Sequence, residues 1–220
     1  MKNLTKILTA LTVAGLTFSW VAQAKGATVL TFEGVGNQAP VGNFYNGGAG
    51  GSLGISFSST ALGIVDSDAG GTGNIGGEPS PSTVLFFLSG GAATMNVAAG
   101  FTTGFSFFYS AITNPGFVNV YDGLNGTGNV LVTLNLPLTP FNGAPDPTGA
   151  FSPFVPFGVS FVGTALSVDF GGTANRISFD NITIGSQTPG GASVPDSGAT
   201  IAMLGLALTG IAGYRRKMAQ

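Results

Sequence analysis

The chain has 220 residues, no histidine, no cysteine and a formal net charge of −2. Without histidine and cysteine, serine–histidine and cysteine–histidine catalysis in their usual forms are excluded, as are the usual zinc sites and any disulfide that could stabilise an exported domain. Residues 25–193 contain two basic residues, Lys25 and Arg176, and eight carboxylates, which gives this body a net charge of −6. We therefore expect nucleic acid to repel it.

The N-terminus has the organisation of a secretory signal peptide. Lys2 and Lys6 precede an apolar stretch at 7–20, and Ala22 and Ala24 form an A-x-A cleavage pattern. A basic start, an apolar core and small residues before the cut are typical of such peptides. We therefore expect cleavage after Ala24, with 1–24 as the signal peptide of an exported protein.

The body that follows has the pattern of a β-protein. Apolar segments of strand length recur between glycine-rich breaks, and many alternate apolar and polar residues with period two, as strands with one buried face do. No stretch of the body has a helical period. The sequence therefore predicts an all-β fold, an antiparallel jelly-roll-like β-sandwich over residues 25–187, flanked by an N-terminal signal helix and a C-terminal transmembrane helix. The predicted strands are 28–32, 53–58, 62–65, 83–88, 93–97, 104–109, 117–121, 130–134, 158–161, 165–170 and 176–184.

Three long loops interrupt the predicted strands, at 37–51, 67–82 and 137–156. The last of them holds six of the twelve prolines. A long proline-rich loop of this kind is either functional or disordered. Between two other strands, Asp122 to Gly126 contains Asp-Gly and Asn-Gly pairs, which predict a hairpin turn.

Carboxylates are the metal ligands that this chain offers, and oxygen ligands suit calcium. We expect Glu33, beside the first strand, and Asp180, in the last strand, to share one calcium ion that links the two strands. Asp180 has the parity of Ile182, so either the faces of the strand reverse or a bulge lies near Asn181, and the carboxylate is then partly buried. A buried carboxylate needs a partner, and cations are scarce. The alternative is that Asp180 caps a turn and Glu33 is solvated.

A second possible calcium site contains Asp66 and Asp68. Asp66-Ser67-Asp68 precedes Gly70-Gly71, as in a D-x-D calcium loop, but the closing glutamate of an EF-hand is absent. The alternative is a solvated acidic turn. Glu33 and Glu78 are the only glutamates, and a glycosidase needs two carboxylates, so a weak glycosidase is one possible function. We nevertheless expect that the protein is not an enzyme.

The edges of the body resemble a known class of domain. Thr31-Phe32-Glu33-Gly34 and Phe179-Asp180-Asn181-Ile182 are similar to the first and last strands of carbohydrate-binding-module-like jelly rolls. The resemblance implies a structural calcium shared by an early acid and a late aspartate. It also makes binding of an extracellular polysaccharide a possible function.

The C-terminal 27 residues, 194–220, follow a small-residue linker at 188–193 and have three parts. A polar motif comes first, then an uncharged apolar segment at 199–214, then a basic end. The 16 apolar residues would form a helix of about 24 Å, a marginal span for a bilayer core of about 30 Å. The positive-inside rule would keep the basic end in the cytoplasm. The motif residues are Val194, Pro195, Asp196, Ser197 and Gly198, and the basic residues are Arg215, Arg216 and Lys217.

This tail resembles the VPDSG variant of the PEP-CTERM sorting signals of bacteria. The resemblance implies an exosortase-like membrane enzyme that cuts near the motif and releases the protein outside the cell. The alternative is an ordinary C-terminal tail anchor. Together these features predict an exported structural or adhesive component of the cell surface or extracellular matrix, held transiently in the inner membrane. A carbohydrate-binding domain is the second possibility and a weak glycosidase the third.

Overall fold

The computed structural model describes residues 26–142, 146 and 149–191. The predicted signal peptide with Ala22 and Ala24, the motif 194–198, the apolar segment 199–214 and the basic residues 215–217 lie outside the described residues. Among the described residues there is no helix with the length and apolar character needed to span a bilayer. Strands joined by turns and loops form this part of the chain, as the all-β prediction requires.

The described residues contain thirteen strands, and each of the eleven predicted segments overlaps one of them. Two short strands in the loop 37–51 were not predicted, because their glycine-rich sequences have no apolar alternation. The strands are β1 (Thr28–Leu30), β2 (Asn46–Gly48), β3 (Gly51–Ser52), β4 (Ile55–Phe57), β5 (Leu62–Val65), β6 (Thr83–Phe86), β7 (Ala92–Phe101), β8 (Phe105–Ser110), β9 (Gly116–Tyr121), β10 (Val130–Leu136), β11 (Val155–Val159), β12 (Ala165–Gly172) and β13 (Ser178–Ile184).

Two antiparallel sheets account for most of the strands. The first sheet has the order β11-β8-β13-β6-β5, with β1 also paired to β13. The second sheet has the order β10-β9-β12-β7-β4, and β2 and β3 form a separate hairpin. The first strand of the body is thus hydrogen-bonded to the last, with Leu30 opposite Ile182.

Phenylalanine side chains join the two sheets. Phe170 of β12 in the second sheet lies with its ring centroid 5.9 Å from Phe105, 6.1 Å from Phe107 and 5.0 Å from Phe179, all in the first sheet. All four rings are fully buried. Because these contacts cross from one sheet to the other, the sheets pack face to face around one aromatic core.

The strand β13 contains the bulge that the sequence suggested near Asn181. Its register with β8 shifts between Asp180 and Thr183, and Asn181 has a φ of 47°. Ser178 and Asp180 are only 4% and 0% exposed, so the Asp180 carboxylate is buried more fully than the partial burial expected from its parity. Ser80 bonds to Asp180, and Ser178 lines a small cavity together with residues of the loops 67–82 and 137–156, so loops cover this side of the strand.

The strand β11 begins at Val155, three residues before the predicted start. Pro156 lies inside it, and a proline normally argues against a strand because it cannot donate a hydrogen bond. Here β11 is at the edge of the first sheet and pairs only with β8, where Pro156 lies opposite Phe108. An edge strand needs only one hydrogen-bonding side, so the proline is tolerated.

We expect Phe170→Ala to lower the free energy of unfolding by about 3–5 kcal/mol, because it leaves a cavity between the two sheets. The measurement is urea unfolding of the 25–193 body. Val162→Ala is the control, since Val162 is 93% exposed, and it should change the free energy little. A loss for Phe170→Ala as small as that of the control would contradict the packing described above.

Candidate functional site

Asp180 and Glu33, which we call the carboxylate pair, lie where the sequence predicted them, beside the junction of β1 and β13. Asp180 is fully buried at the bulge. It accepts hydrogen bonds from the Ser80 backbone N–H at 2.8 Å, from the Ser80 hydroxyl at 2.7 and 2.8 Å, and from the Asn181 N–H at 2.6 Å. The bulge allows the last of these bonds, because it turns the Asn181 N–H out of the sheet ladder.

Glu33 follows β1 in a turn that needs left-handed backbone on both sides. Phe32 has a φ of 62° and Gly34 a φ of 87°. The Glu33 carboxylate accepts a hydrogen bond from the Thr83 N–H at 2.9 Å, and its other oxygen accepts from the hydroxyls of Ser82 and Thr83 at 3.3 and 3.4 Å. Residues 80–83 therefore donate to both carboxylates, and this shared segment brings the pair together.

Burial and a neighbouring like charge disfavour ionisation of Asp180. Burial raises the pKa of Asp180 to about 7, and the negative charge of Glu33 acts in the same direction, against the hydrogen bonds from Ser80 and Asn181. Burial also raises the pKa of Tyr45 to about 12. The Tyr45 hydroxyl accepts the Phe32 N–H at 2.7 Å.

A calcium ion between Glu33 and Asp180 stays a prediction. A backbone carbonyl is a further type of ligand that suits calcium. The Thr31 carbonyl lies near the pair, because it accepts a hydrogen bond at 3.1 Å from the hydroxyl of Ser80, which also donates to Asp180. The hydrogen bonds from 80–83 and from Asn181, however, already satisfy oxygens of both carboxylates. The alternative was that Asp180 caps a turn and Glu33 is solvated. Its first part agrees with the structure, since Asp180 accepts a hydrogen bond from the N–H of Asn181 at a local turn of the chain.

Asp66 and Asp68 form a second group, together with Asp146, which the sequence analysis did not single out. One carboxylate oxygen from each of the three lies within 4.8 Å of the other two, and we call the group the acidic cluster. Asp66 is 6% exposed, and its Oδ1 is buried with no hydrogen-bond partner. The structure therefore assembles three carboxylates from two loops that are distant in sequence.

The loop after β5 places Asp66 and Asp68. The carbonyl of Asp66 accepts the N–H groups of Ala69 and Gly71 at 3.2 and 2.8 Å, which folds the chain back on itself. Gly71 is required here, because a side-chain carbon at this position would collide with the carbonyl of Val65. Asp66 thus starts a compact turn that directly follows the half-buried strand β5.

Contacts between two loops place Asp146. The Phe151 N–H donates to the Asn74 carbonyl at 2.8 Å, and Ile75 and Phe151 form an isolated parallel bridge. Gly76 and Gly149 approach so closely that a side-chain carbon on Gly149 would lie 2.6 Å from the Cα of Gly76. The sequence carries no local signal for this contact, since neither the prolines of 137–156 nor any spacing relates Asp146 to Asp66.

The neighbouring charges at the acidic cluster are also negative. Burial raises the pKa of Asp66, and the charges of Asp146 and Asp68 raise it further. Burial likewise raises the pKa of Glu78, with contributions from Asp66 and Asp146. The neighbouring carboxylates therefore disfavour ionisation of Asp66 and Glu78, an electrostatic setting that a bound cation would relieve.

A third group of polar side chains crosses the outer face of the second sheet. Strand register aligns Thr133, Asn119, Asp169 and Thr94 on four neighbouring strands, and we call this alignment the polar row. The Thr94 hydroxyl donates to Asp169 at 2.6 Å, and the Thr133 hydroxyl donates to Asn119 at 2.7 Å. The sequence analysis did not identify the polar row. The polar positions of the alternating strands were the feature of the sequence from which it could have been found.

The C-terminal residues 193–218 match the model of the VPDSG-CTERM motif. The chain therefore ends in a VPDSG-CTERM motif. This finding agrees with the resemblance read from 194–198 and the residues behind it. A C-terminal sorting motif supports an exported protein that is processed by a sorting system.

The described domain has likenesses among solved structures. A family 6 carbohydrate-binding module is 20% identical, with a TM-score of 0.35 over 59% of this chain and 85% of that one. The K1 cleaved adhesin domain of Lys-gingipain from Porphyromonas gingivalis W83 is 12% identical, with a TM-score of 0.37 over 72% and 96%. The K3 domain of the same protein is 14% identical, with a TM-score of 0.34 over 58% and 91%. TM-scores this low carry no argument about function. A search of the curated proteins gives no match.

We expect Ser80→Ala to destabilise the domain more at pH 8 than at pH 5. The pKa of Asp180 in the folded state, about 7, lies above its unfolded value of about 3.9, so the stability contributed by this group falls as the pH rises between those values. Removing the Ser80 hydroxyl removes donors to the charged form and raises the pKa further. The loss at pH 8 should be about 1–3 kcal/mol.

The measurement is urea unfolding of the 25–193 body in the presence of EDTA, at both pH values. Ser59→Ala is the control, because Ser59 is exposed and far from the pair in the chain. An equal loss for Ser80→Ala at pH 5 and pH 8 would show that Ser80 does not act through the Asp180 carboxylate.

Proposed function

We propose that the protein is a structural or adhesive component of the cell surface or extracellular matrix, sorted through its C-terminal tail by an exosortase-like enzyme. The observation that carries the proposal is the VPDSG-CTERM match at 193–218, which follows an all-β domain in the same chain. The sorting motif, which follows the domain in the chain, suits a protein that is delivered outside the cell. The absence of histidine and cysteine suits a binding or structural role better than catalysis.

The apolar segment and the basic end give the tail a physical route to processing. We infer that the 16 residues of 199–214 enter the inner membrane after export, and that Arg215, Arg216 and Lys217 stop transfer on the cytoplasmic side. The motif 194–198 then lies on the outer side, where the small-residue linker 188–193 separates it from the domain. Cleavage near the motif releases the domain from the membrane.

We also infer that the sandwich is jelly-roll-like in its connections. Only β5–β6 and β9–β10 are consecutive strands paired within the two large sheets, whereas each of the other connections from β4 to β13 passes from one sheet to the other. Repeated crossing between two packed sheets is typical of jelly rolls. Such a sandwich presents one broad sheet face and several long loops for contact with other molecules.

A polysaccharide is the partner favoured by the polar row. Its amide, carboxylate and hydroxyl groups lie side by side on one sheet face, and Tyr121 is adjacent, with its hydroxyl 3.4 Å from the Asn119 amide nitrogen. Hydrogen-bonding groups next to an aromatic ring match the polar edges and apolar faces of a sugar. We therefore propose extracellular polysaccharide binding as the second candidate function.

We expect protein recovered from the medium of the native organism to lack residues 199–220. Replacing all five residues 194–198 by alanine should leave the tail attached and the protein in the membrane fraction. Pro189→Ala in the linker is the control and should be processed normally. The measurement is intact-mass spectrometry of both fractions, and residues 215–220 on the extracellular form would refute the sorting proposal.

For the second candidate, we expect the 25–193 body to bind at least one polysaccharide on a glycan array, and Asn119→Ala to weaken that binding at least tenfold. Asn142→Ala is the matched control, because Asn142 is exposed and lies outside the polar row. Binding that is equal in the two variants would place the sugar elsewhere. Absence of binding to every glycan would leave the structural or adhesive function as the better supported one.

A further inference from the structure

We propose that the acidic cluster of Asp66, Asp68 and Asp146 binds a calcium ion, and that this ion fastens the proline-rich loop 137–156 to the loop 67–82. The sequence pointed to Asp66 and Asp68 as a possible D-x-D turn. The structure adds a third carboxylate, from a loop that begins some seventy residues later in the chain. The site therefore joins two loops, and does not belong to one local turn.

The spacing of the oxygens fits one calcium ion. Oxygens bind calcium at about 2.3–2.6 Å, so two of them on one ion lie at most about 5 Å apart. The three carboxylate oxygens of the cluster lie within 4.8 Å of one another. They can therefore reach a common ion without a rearrangement of the two loops.

The unpartnered oxygen of Asp66 is the independent sign of a ligand. Asp66 is 6% exposed, and its Oδ1 is buried without a hydrogen-bond partner in the described structure. Buried polar oxygens are normally satisfied by protein, water or an ion. Since Asp66 belongs to the cluster whose oxygens converge, a cation bound there supplies the missing partner.

Negative charge is concentrated around the cluster. The charges of Asp68 and Asp146 act on Asp66, and those of Asp66 and Asp146 act on Glu78. Arg176 is the single basic residue in the described part of the chain, and it is exposed. A divalent cation therefore compensates the charges more fully than any side chain here.

The chemistry of the ligands selects calcium among the common metals. The donors are carboxylate oxygens, with no histidine or cysteine in the chain, which excludes the sites that zinc and copper prefer. Magnesium demands near-ideal octahedral geometry, whereas calcium accepts six to eight oxygens in flexible arrangements. Loop carbonyls and water can complete such a shell.

The ion would hold in place the loops that cover one side of the last strand. Asn74 and Phe151, one from each loop, hydrogen-bond through their backbones and line the cavity beside Ser178 of β13. An ion held by Asp66, Asp68 and Asp146 fixes the same two loops at a second point. Calcium would thereby tie Asp146 of the proline-rich loop to the loop 67–82.

The experiment is isothermal titration of calcium chloride into the full chain in mild detergent, paired with thermal melting in calcium and in EDTA. We expect a dissociation constant of about 10⁻⁴–10⁻³ M, as in extracellular modules, and a rise in Tm with calcium. Asp146→Asn and Asp68→Asn should each weaken binding at least tenfold and abolish most of the rise in Tm. These two side chains are less buried than Asp66, so both variants should fold.

Two controls separate this site from its rivals. Asp122→Asn changes a half-buried carboxylate in the β9–β10 turn, away from the cluster, and should bind calcium like the unmodified chain. Glu33→Gln alters the carboxylate pair and should leave this calcium site intact. Absence of calcium binding, unchanged binding in Asp146→Asn, or a loss of binding confined to Glu33→Gln would overturn the proposal.

Proteolysis supplies a readout that depends on the loop itself. Phe141 is 53% exposed in the proline-rich loop, so chymotrypsin can test its accessibility. We expect calcium to slow cleavage after Phe141 at least fivefold in the unmodified chain and not in Asp146→Asn. Equal cleavage rates with calcium and with EDTA would contradict the fastening of the loop.

Discussion

The fold depends on burying negative charge in a domain that has almost no cations. Asp180 is fully buried in the middle of the last strand, and the described residues contain one basic side chain, which is exposed. A buried carboxylate without partners costs several kcal/mol, so the chain must supply hydrogen bonds to it. Residues 80–83 do this for Asp180 and Glu33 together, and the path of the loop 67–82 across the first sheet follows from that requirement.

The carboxylate pair and the acidic cluster differ in how their buried oxygens are satisfied. At the carboxylate pair, backbone N–H groups and hydroxyls of 80–83 reach both side chains. At the acidic cluster, Asp66 keeps an oxygen without a partner, and the nearest charges are negative. Hydrogen-bond donors from the protein thus satisfy the first group, whereas among the described residues Oδ1 of Asp66 in the second group has no hydrogen-bond partner.

The sequence was sufficient for eleven of the thirteen described strands and insufficient for the contacts between loops. Alternation of apolar and polar residues reflects one buried face, a local property, so all eleven predicted segments overlap strands. The bulge at Asn181 was one of the two alternatives that the sequence left open, because Asp180 shares the parity of the apolar Ile182. The start of β11 was predicted too late because Pro156 argues against a strand. Only the sheet order shows that this strand lies at an edge, where a proline is tolerated. Asp146 joins Asp66 through backbone contacts of Gly76 and Gly149, which have no local sequence pattern.

Loops that are held only by a few backbone bonds are poor binding surfaces unless something orders them. Among the described residues, the proline-rich loop bonds to the loop 67–82 at Phe151, whose N–H donates to the Asn74 carbonyl and whose carbonyl accepts the Gly76 N–H. Ordering a segment costs conformational entropy for each residue that is fixed, so each further attachment between the two loops has to offset part of that cost. On the calcium proposal, Asp146 would be a second point of attachment between the two loops, in the same loop as the exposed ring of Phe141. The order of this surface would then depend on calcium, while the aromatic core between the sheets stays unaffected.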